Sequence, residues 1–437
     1  MNIRIYAALG AALLSGLTAR AQQPLPLSLA ECRERALAHS EELQQADNRL
    51  EQARLDRRIA VTAALPKIEG SATGAYVLPD MDMMGMDLRM RGTYMAGLNL
   101  TQPIYAGGKI SAARRMSRIG EEVAGEQQRM IRMDVLVEAD NAYWTTVAVD
   151  RQVRMLESYA AQMDTLYRQT EAAFKAGMAI ENDLMRIEAK RSEIRYQLQK
   201  AQNGAELCRM SLCRVIGAER DQHPVPTDTL FQTSEPGALL SDLASRPELR
   251  ILEQQVAVGE QQIRDVRSAM LPSVGLSLGY TYYGNIKLQS VVDAGNGTFI
   301  PHTQEFRDGI GLAMLAVKIP IFHWGESRKK VRKARYELQH AQLDLQKNTR
   351  LMSLEVEQAI RNVEDGYRLI QTAGLALQQA EENLRVMRNR YKAQMAPLTD
   401  LLDAQSQWQQ AASNRIEAQT QYRIYETEYR RSTGTLE

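Results

Sequence analysis

Two groups of residues in this chain have types and spacings that could do chemistry. In PLTDLLDAQ (397–405), Asp400 and Asp403 stand three positions apart, one turn after Pro397. Proline suits the first position of a helix, and i, i+3 spacing stacks both carboxylates on one helix face. Rings of such acids attract cations and repel anions, and crowded carboxylates favour protonation or ion binding. Spacing alone equally allows two solvated acids held near a helix N-terminus by its dipole. The second group is DMDMMGMDLRM, residues 80–90, with five methionines in eleven positions. Thioethers are soft ligands suited to Cu(I), but no His or Cys accompanies them, and methionine is also a common filler of irregular space.

Little else is reactive. The histidines at 39, 223, 302, 323 and 340 are scattered, and Cys32, Cys208 and Cys213 form neither a metal quartet nor a disulfide framework. With no nucleophile–base grouping and no phosphate loop, an enzyme is not expected, and no cofactor or metal site is assigned. The chain holds 54 basic residues, of which Arg4 and Arg20 lie in the leader, against 53 acidic ones. That balance gives no reason to expect a nucleic-acid partner.

The elements that must position these residues begin with an export signal. MNIRIYAALGAALLSGLTARAQQ has a basic residue, an apolar run from Ile5 to about Ala19, and Ala19-Arg20-Ala21 as a small-x-small cleavage site, so residues 1–21 are expected to be removed. The run is too short to cross a bilayer of ~30 Å. No later apolar run could span as a helix, and mean hydropathy is −0.39. Transmembrane strands are nearly invisible to that test, because lipid-facing and lumen-facing residues alternate along them.

The mature chain is a duplication. AALPKIEGS (63–71) is similar to SAMLPSVGLS (268–277), TQPIYAGGK (101–109) to KIPIFHWGE (318–326), and FKAGMAIENDL (174–184) to YKAQMAPLTDL (391–401). The copies close on Gly217 and Gly434, which gives a first repeat over 22–217, a polar linker over 218–239 and a second repeat over 240–437. Val149, Val153, Leu156, Ala160, Met163, Tyr167 and Phe174 form a heptad seam, and Ile370, Ala373, Leu377, Ala380, Leu384, Met387 and Tyr391 form its counterpart. Period-two alternation predicts strands near 67–77 and 92–104, then 273–285 and 308–322, so hairpins fall at about 67–104 and 273–322. Helices are expected over about 28–64, 108–175 and 181–216. The middle one would be ~100 Å long at 1.5 Å per residue, matched by the other two end to end.

Four strands cannot close a barrel, and open sheet edges are not tolerated in lipid. Several protomers must therefore share one, and three would supply an even twelve. A secreted helical coiled-coil assembly protein without a channel is the alternative, but it leaves the alternating strands unused.

The tandem helix–hairpin–helix halves, the Pro-Ile-aromatic-x-x-Gly after each second strand and the tip turn before Asp-Leu-Leu-Asp-Ala make the chain resemble the TolC-like outer-membrane efflux proteins over essentially its whole mature length. The resemblance implies a mainly α protein with a transmembrane β part. Its repeats would form a trimeric 12-stranded β-barrel in outer-membrane lipid, continuous with a long periplasmic α-helical barrel. It implies the exit channel of a tripartite system, a homotrimer joined to a periplasmic adaptor protein and an inner-membrane transporter. It places the periplasmic constriction at Asp400 and Asp403. Asp183, the first-copy equivalent of Asp400, and Tyr391 match members of the set that holds the family's closed state. The family's glycine is here Gln394, and the basic residue expected two positions later is Ala396, which leaves Lys392 as a substitute partner. The tip turns Gly177-Met178-Ala179 and Gln394-Met395-Ala396 are the expected adaptor contacts, though for the second an ordinary turn serves equally well. The methionine stretch falls on an outer loop and is not expected to identify the cargo.

Overall fold

The structure, a computed structural model, describes residues 24–83, 86–219, 222–228, 235–293, 295 and 299–437. The export signal lies outside the described residues. The chain divides into two units. One holds the described residues up to Asp47, Glu126–Arg250 and Lys347–Glu437; the other holds Asn48–Gly125 and Ile251–Gln346.

The first unit is helical. Strand β1 (Pro24–Leu27) leads into α1 (Leu29–His39), whose start is fixed by a capping box: Ser28 accepts from the Glu31 amide while the Glu31 carboxylate accepts from the Ser28 amide. The helix predicted over 28–64 is broken at Ser40. That residue has extended backbone, and its hydroxyl accepts from the Leu43 amide at 3.1 Å, so it starts a second helix, α2 (Glu41–Thr62). A serine is a better cap than a helix-interior residue, because its side chain competes for backbone donors.

A 67-residue helix, α3 (Lys109–Lys175), follows the first hairpin, and α4 (Glu181–Val215) completes the first half. After α5 (Pro247–Ser268) and the second hairpin come α6 (Glu326–Lys392), also 67 residues, and α7 (Leu398–Thr433). Of the seam residues, Met163 and Leu384 are buried with Tyr159, Leu166, Ile187, Ile194, Leu398, Leu401 and Ala404 in one cluster drawn from α3, α4, α6 and α7. Ala160, Tyr167, Met387 and Tyr391 pack against it, whereas Phe174 is exposed.

The stretch predicted as a linker holds strand β6 (His223–Pro226), which pairs in parallel with β1. The Tyr143 hydroxyl donates to Asp228 at 2.6 Å beside this pair. Parallel pairing needs a long crossover, and a partner 199 residues away leaves no local pattern to read.

The second unit carries the sheet, together with the parts of α2, α3, α5 and α6 that fall within Asn48–Gly125 and Ile251–Gln346. In chain order its strands are β2 (Lys67–Tyr76), β3 (Met81–Met83), β4 (Met86–Arg89), β5 (Arg91–Ala106), β7 (Ser273–Asp293) and β8 (Phe299–Lys318). All pairings are antiparallel: β2 with β5, β5 with β7, β7 with β8, and β4 with both β3 and the outer part of β7. One row across the sheet is Ile68, Leu100, Leu278 and Ala313; the next, on the opposite face, is Glu69, Asn99, Gly279 and Leu312. The apolar rows are wide open, with Ile68 at 70%, Leu98 at 62% and Leu315 at 62% exposure. Tyr280 lies over Gly309 and Tyr94 over Gly284, so any side chain at either glycine would collide with a ring.

The second hairpin is longer than predicted. Its strands reach Asp293 and begin at Phe299, where alternation suggested 285 and 308. Beyond Tyr283 the pairing shifts at a bulge, which resets the alternation, and Pro301 argues against a strand in the sequence but is tolerated at a sheet edge. β8 also stops at Lys318 rather than 322, because Pro320 cannot donate to a ladder.

Candidate functional site

The candidate residues cluster where α3 turns into α4 and where α6 turns into α7, all within the helical unit. Both turns are built alike. At the first, Gly177 has φ +73°, its amide donates to Phe174 O at 2.9 Å, and the Met178 amide reaches back to Ala173 O at 2.8 Å. At the second, Gln394 has φ +60°, its amide donates to Tyr391 O at 3.0 Å, and the Met395 amide reaches Arg390 O at 2.8 Å. This is the six-to-one bond that closes a helix on a left-handed residue. The missing glycine therefore does not change the turn; Gln394 takes the same conformation. Met178 and Met395 are 70% and 73% exposed at matching places, with Ala179 and Ala396 half-buried beside them.

Beyond the second turn, Pro397 is the N-cap of α7 (φ −71°, ψ 161°) and makes no side-chain cap, so it stands just outside the helix rather than at its first position. Asp400 lies in the first turn of α7 and Asp183 in the first turn of α4, where the free amides and the dipole favour negative charge. Asp400 and Asp403 are exposed on one face. The opposite face carries Leu398, Leu401 and Ala404, all buried. The acids open a longer stripe that continues at the same three-four spacing through Gln407, Gln410, Asn414 and Glu417, every member exposed. The stripe rises ~26 Å at 1.5 Å per residue. Its Gln410 amide donates along it to Asn414 at 2.8 Å.

Tyr391 is half-buried against the four-helix cluster and borders a cleft of about 440 Å³ between α3, α6 and α7, with Gln162, Arg388, Lys392 and Gln405 among its walls. No hydrogen bond joins Tyr391 to Asp183 among the described residues. Lys392 is exposed and makes no ion pair with Asp183 or with any other described residue. The polar ties between helices lie elsewhere. Arg388 donates to Gln162 Oε1 at 2.6 Å, linking α6 to α3, and Gln409 donates to Gln197 Oε1 at 2.7 Å, linking α7 to α4. Within the first helix pair, Asp164 is held by Arg191 and, at 3.4 Å, by Arg195. The Arg191 guanidinium also lies 4.7 Å from the Tyr167 ring centre. Burial pushes the Tyr159 hydroxyl up to about 12, so it stays protonated as it packs edge-on against Trp408. The Gln-rich ties were missed from sequence because a polar residue flanking a seam does not say which helix it will meet. The stripe beyond Asp403 was legible, since its spacing is in the sequence.

Asp80 pairs with Arg89 at 3.0 Å and Arg91 at 2.9 Å. The methionine stretch is thus a small hairpin of β3 and β4, with Asp82 opposite Asp87. Among the described residues no group of three or more His, Cys, Asp or Glu side chains could hold a metal ion. No helix there is long and apolar enough to cross a membrane, which leaves a β-barrel open.

Comparison with known proteins places these features in a wider set. The model of the outer membrane efflux protein family matches residues 32–216 and 239–435. Outer membrane protein TolC of Vibrio cholerae is 21% identical over 384 residues, covering 86% of this chain and 83% of that protein. Cation efflux system protein CusC of Escherichia coli is 22% identical over 347 residues, covering 77% of this chain and 69% of that one. Among solved structures, that of the outer membrane protein VceC from Vibrio cholerae superposes with a TM-score of 0.76 at 18% identity, covering 93% of this chain and 96% of that chain.

Proposed function

The chain belongs to the outer membrane efflux protein family, and from that premise we propose that it is a passive exit channel gated at its helical tips by acidic rings. The family is one of outer-membrane export channels of tripartite systems, which fixes the compartment and the broad role. The finer reading is that three copies close twelve strands into one barrel and that an adaptor protein docks on the tips and links the channel to an inner-membrane transporter. No step in this reading makes or breaks a covalent bond, so the protein acts as a conduit rather than an enzyme.

One observation carries the gate. Asp400 and Asp403 project from an exposed face of α7, while the face behind them is locked into the core. Repeated three times around an axis, that face would set two carboxylate rings across the lumen, followed by rings of amides from Gln407, Gln410 and Asn414. Such an order excludes anions at the entrance and offers neutral hydrogen-bonding walls above it. Asp183 at the matching position of α4, and Tyr391 packed under the turn, would set how closely the tips approach. Met178 and Met395, with Gly177, Ala179, Gln394 and Ala396 around them, offer paired apolar tips for the adaptor, because exposed methionine adapts to varied partner surfaces.

The sheet supports the membrane part. Its open apolar rows suit lipid, and a tilted strand needs only ~9–11 residues to cross a bilayer. The test is planar-bilayer conductance of the purified mature protein beside Asp400→Ala/Asp403→Ala. The expected result is a small cation-selective conductance that grows and loses selectivity in the double variant. A channel indifferent to both substitutions would remove the gate from these residues.

A further inference from the structure

The sheet has two tiers with the same number of strands. In the lower tier the order is β2, β5, β7, β8; in the upper tier it is β3, β4, β7, β8. β4 pairs with β7 through Asp87, Leu88 and Arg89 against Gln289, Leu288 and Lys287, on the edge of β7 that β5 occupies lower down. β3 then takes, above β2, the place that β2 takes beside β5. The upper tier is therefore an upward continuation of the lower one.

Length separates the tiers. β8 has 20 residues and β7 has 21, about twice the ~9–11 that a tilted strand needs to cross a bilayer. The ten residues of β2 match the lower half of β8, which Ser277 and Thr281 of β7 pair at Met314 and Ile310. The upper half, from Phe299 to Phe306, pairs with β7 from Ile286 to Asp293 and has no strand on its other edge among the described residues. At the opposite margin, β3 likewise has a bare edge.

From this geometry we infer that the upper edge of β8 is an interface for a second copy of this chain, specifically for the β3 edge in its methionine-rich hairpin. The inference rests on the shared barrel proposed above. If the lower half of β8 meets the β2 edge of the next copy, the upper half of β8 arrives level with that copy's β3. Directions agree: β3 runs the same way as β2, and antiparallel to β8, so the ladder resumes at β3 after the break at 77–80. The twelve-stranded wall then continues above the membrane as a short second tier over the three residues of β3, which covers that part of the β8 edge against a foreign strand. The methionine hairpin becomes a rim element that completes a sheet, and its thioethers need no metal to account for their place.

The test uses cysteine pairs in the full-length protein in outer membranes, with the parent chain and its three native cysteines as the blank. One set joins the tiers' lower edges, Ser71→Cys with each of Ile310→Cys, Leu312→Cys and Met314→Cys. The other joins the upper edges, Asp82→Cys with each of His302→Cys, Thr303→Cys and Gln304→Cys. Facing strand residues bring Cα atoms to ~4.5–5.5 Å, within disulfide range. Oxidation is expected to move most of the chain to a covalent oligomer on a non-reducing gel for at least one pair in each set, reversed by reductant. Lower pairs that cross-link with upper pairs that never do would overturn the second tier and leave the barrel standing. Failure of every pair in both sets would overturn the shared barrel, and the tier with it. Scanning three partners on an exposed strand keeps one misfolded variant from deciding the outcome.

Discussion

Gly177 and Gln394, 217 positions apart, adopt the same left-handed backbone and close their helices with the same pair of hydrogen bonds. Gly217 and Gly434 are a second such pair, at φ +63° and +72°. A side-chain-bearing residue in this conformation costs ~1–2 kcal/mol. Gln394→Gly is therefore expected to stabilise the helical unit by up to about 1 kcal/mol, part of the gain being offset by the freer unfolded chain. Gly177→Ala should cost ~1–2 kcal/mol, because open space surrounds its added methyl and only the backbone resists. Gly434→Ala should cost more, since a Cβ there would meet Ser245 O at 2.5 Å. Thermal unfolding of the detergent-solubilised protein, read by helical circular dichroism, would rank the three; equal losses at 177 and 434 would contradict the packing argument.

These glycines also show why some features were legible in the sequence and others were not. The spans of α3 and α4 came through because they rest on period and spacing, which the chain carries locally. Gly177 and Gly434 marked their turns by residue type, whereas the turn at Gln394 was legible only through its match to Gly177, because glutamine does not by itself signal a left-handed backbone. The acids at 400 and 403 were legible as a pair. The polar ties across helices, such as Gln162 for Arg388, were not, since those depend on which helices meet. The parallel pair of β1 and β6, and the shift beyond Tyr283 that lengthens the second hairpin, depend on non-local pairing that no window of sequence contains.

A second prediction concerns the most enclosed charge. Asp140 has no exposed surface; Arg33 grips it through two bonds of 2.7 and 2.6 Å, and the Thr427 hydroxyl donates at 2.7 Å. These ties join α1, α3 and α7. The bond to Asp140, set against desolvation, holds the Arg33 guanidinium above its ordinary range. Removing one partner of a buried pair costs ~3–5 kcal/mol because it strands the other. Asp140→Ala is expected to lose about that much, while Arg33→Met/Asp140→Leu should recover most of it. Denaturant midpoints of the two variants check this, and equal losses would mean that the pair itself, rather than the stranded arginine, sets the cost.

Cys32 supplies a third. It is fully buried beside Ala36, Ala139 and Leu212, and burial, then the nearby Asp140 charge, push its thiol up to about 12. Only the thiolate reacts readily. At pH 8 in the native protein Cys32 is expected to resist iodoacetamide, and to label promptly once denatured. Mass spectrometry of labelled peptides would separate it from half-buried Cys208, which serves as an internal comparison.

The fourth prediction is a pH response. Glu248 accepts from Arg431 at 2.6 Å and lies 3.2 Å from Arg246, and Arg431 also reaches Asp134 at 2.7 Å. Burial alone would raise the Glu248 carboxyl, but its backbone hydrogen bond, the Arg431 bond and the charges of Arg431 and Arg246 together hold it below the ordinary 4.5. A carboxyl depressed on folding stabilises the native state above its unfolded pKa and loses that contribution as pH falls through the folded one. Helical-unit stability should therefore be insensitive to Glu248 protonation at neutral pH and decline below about 4.5. In Glu248→Gln the neutral-pH midpoint should fall and that share of the acid dependence should vanish. Thermal midpoints from pH 7 to pH 3 in both proteins measure this; parallel curves would remove Glu248 from the acid response.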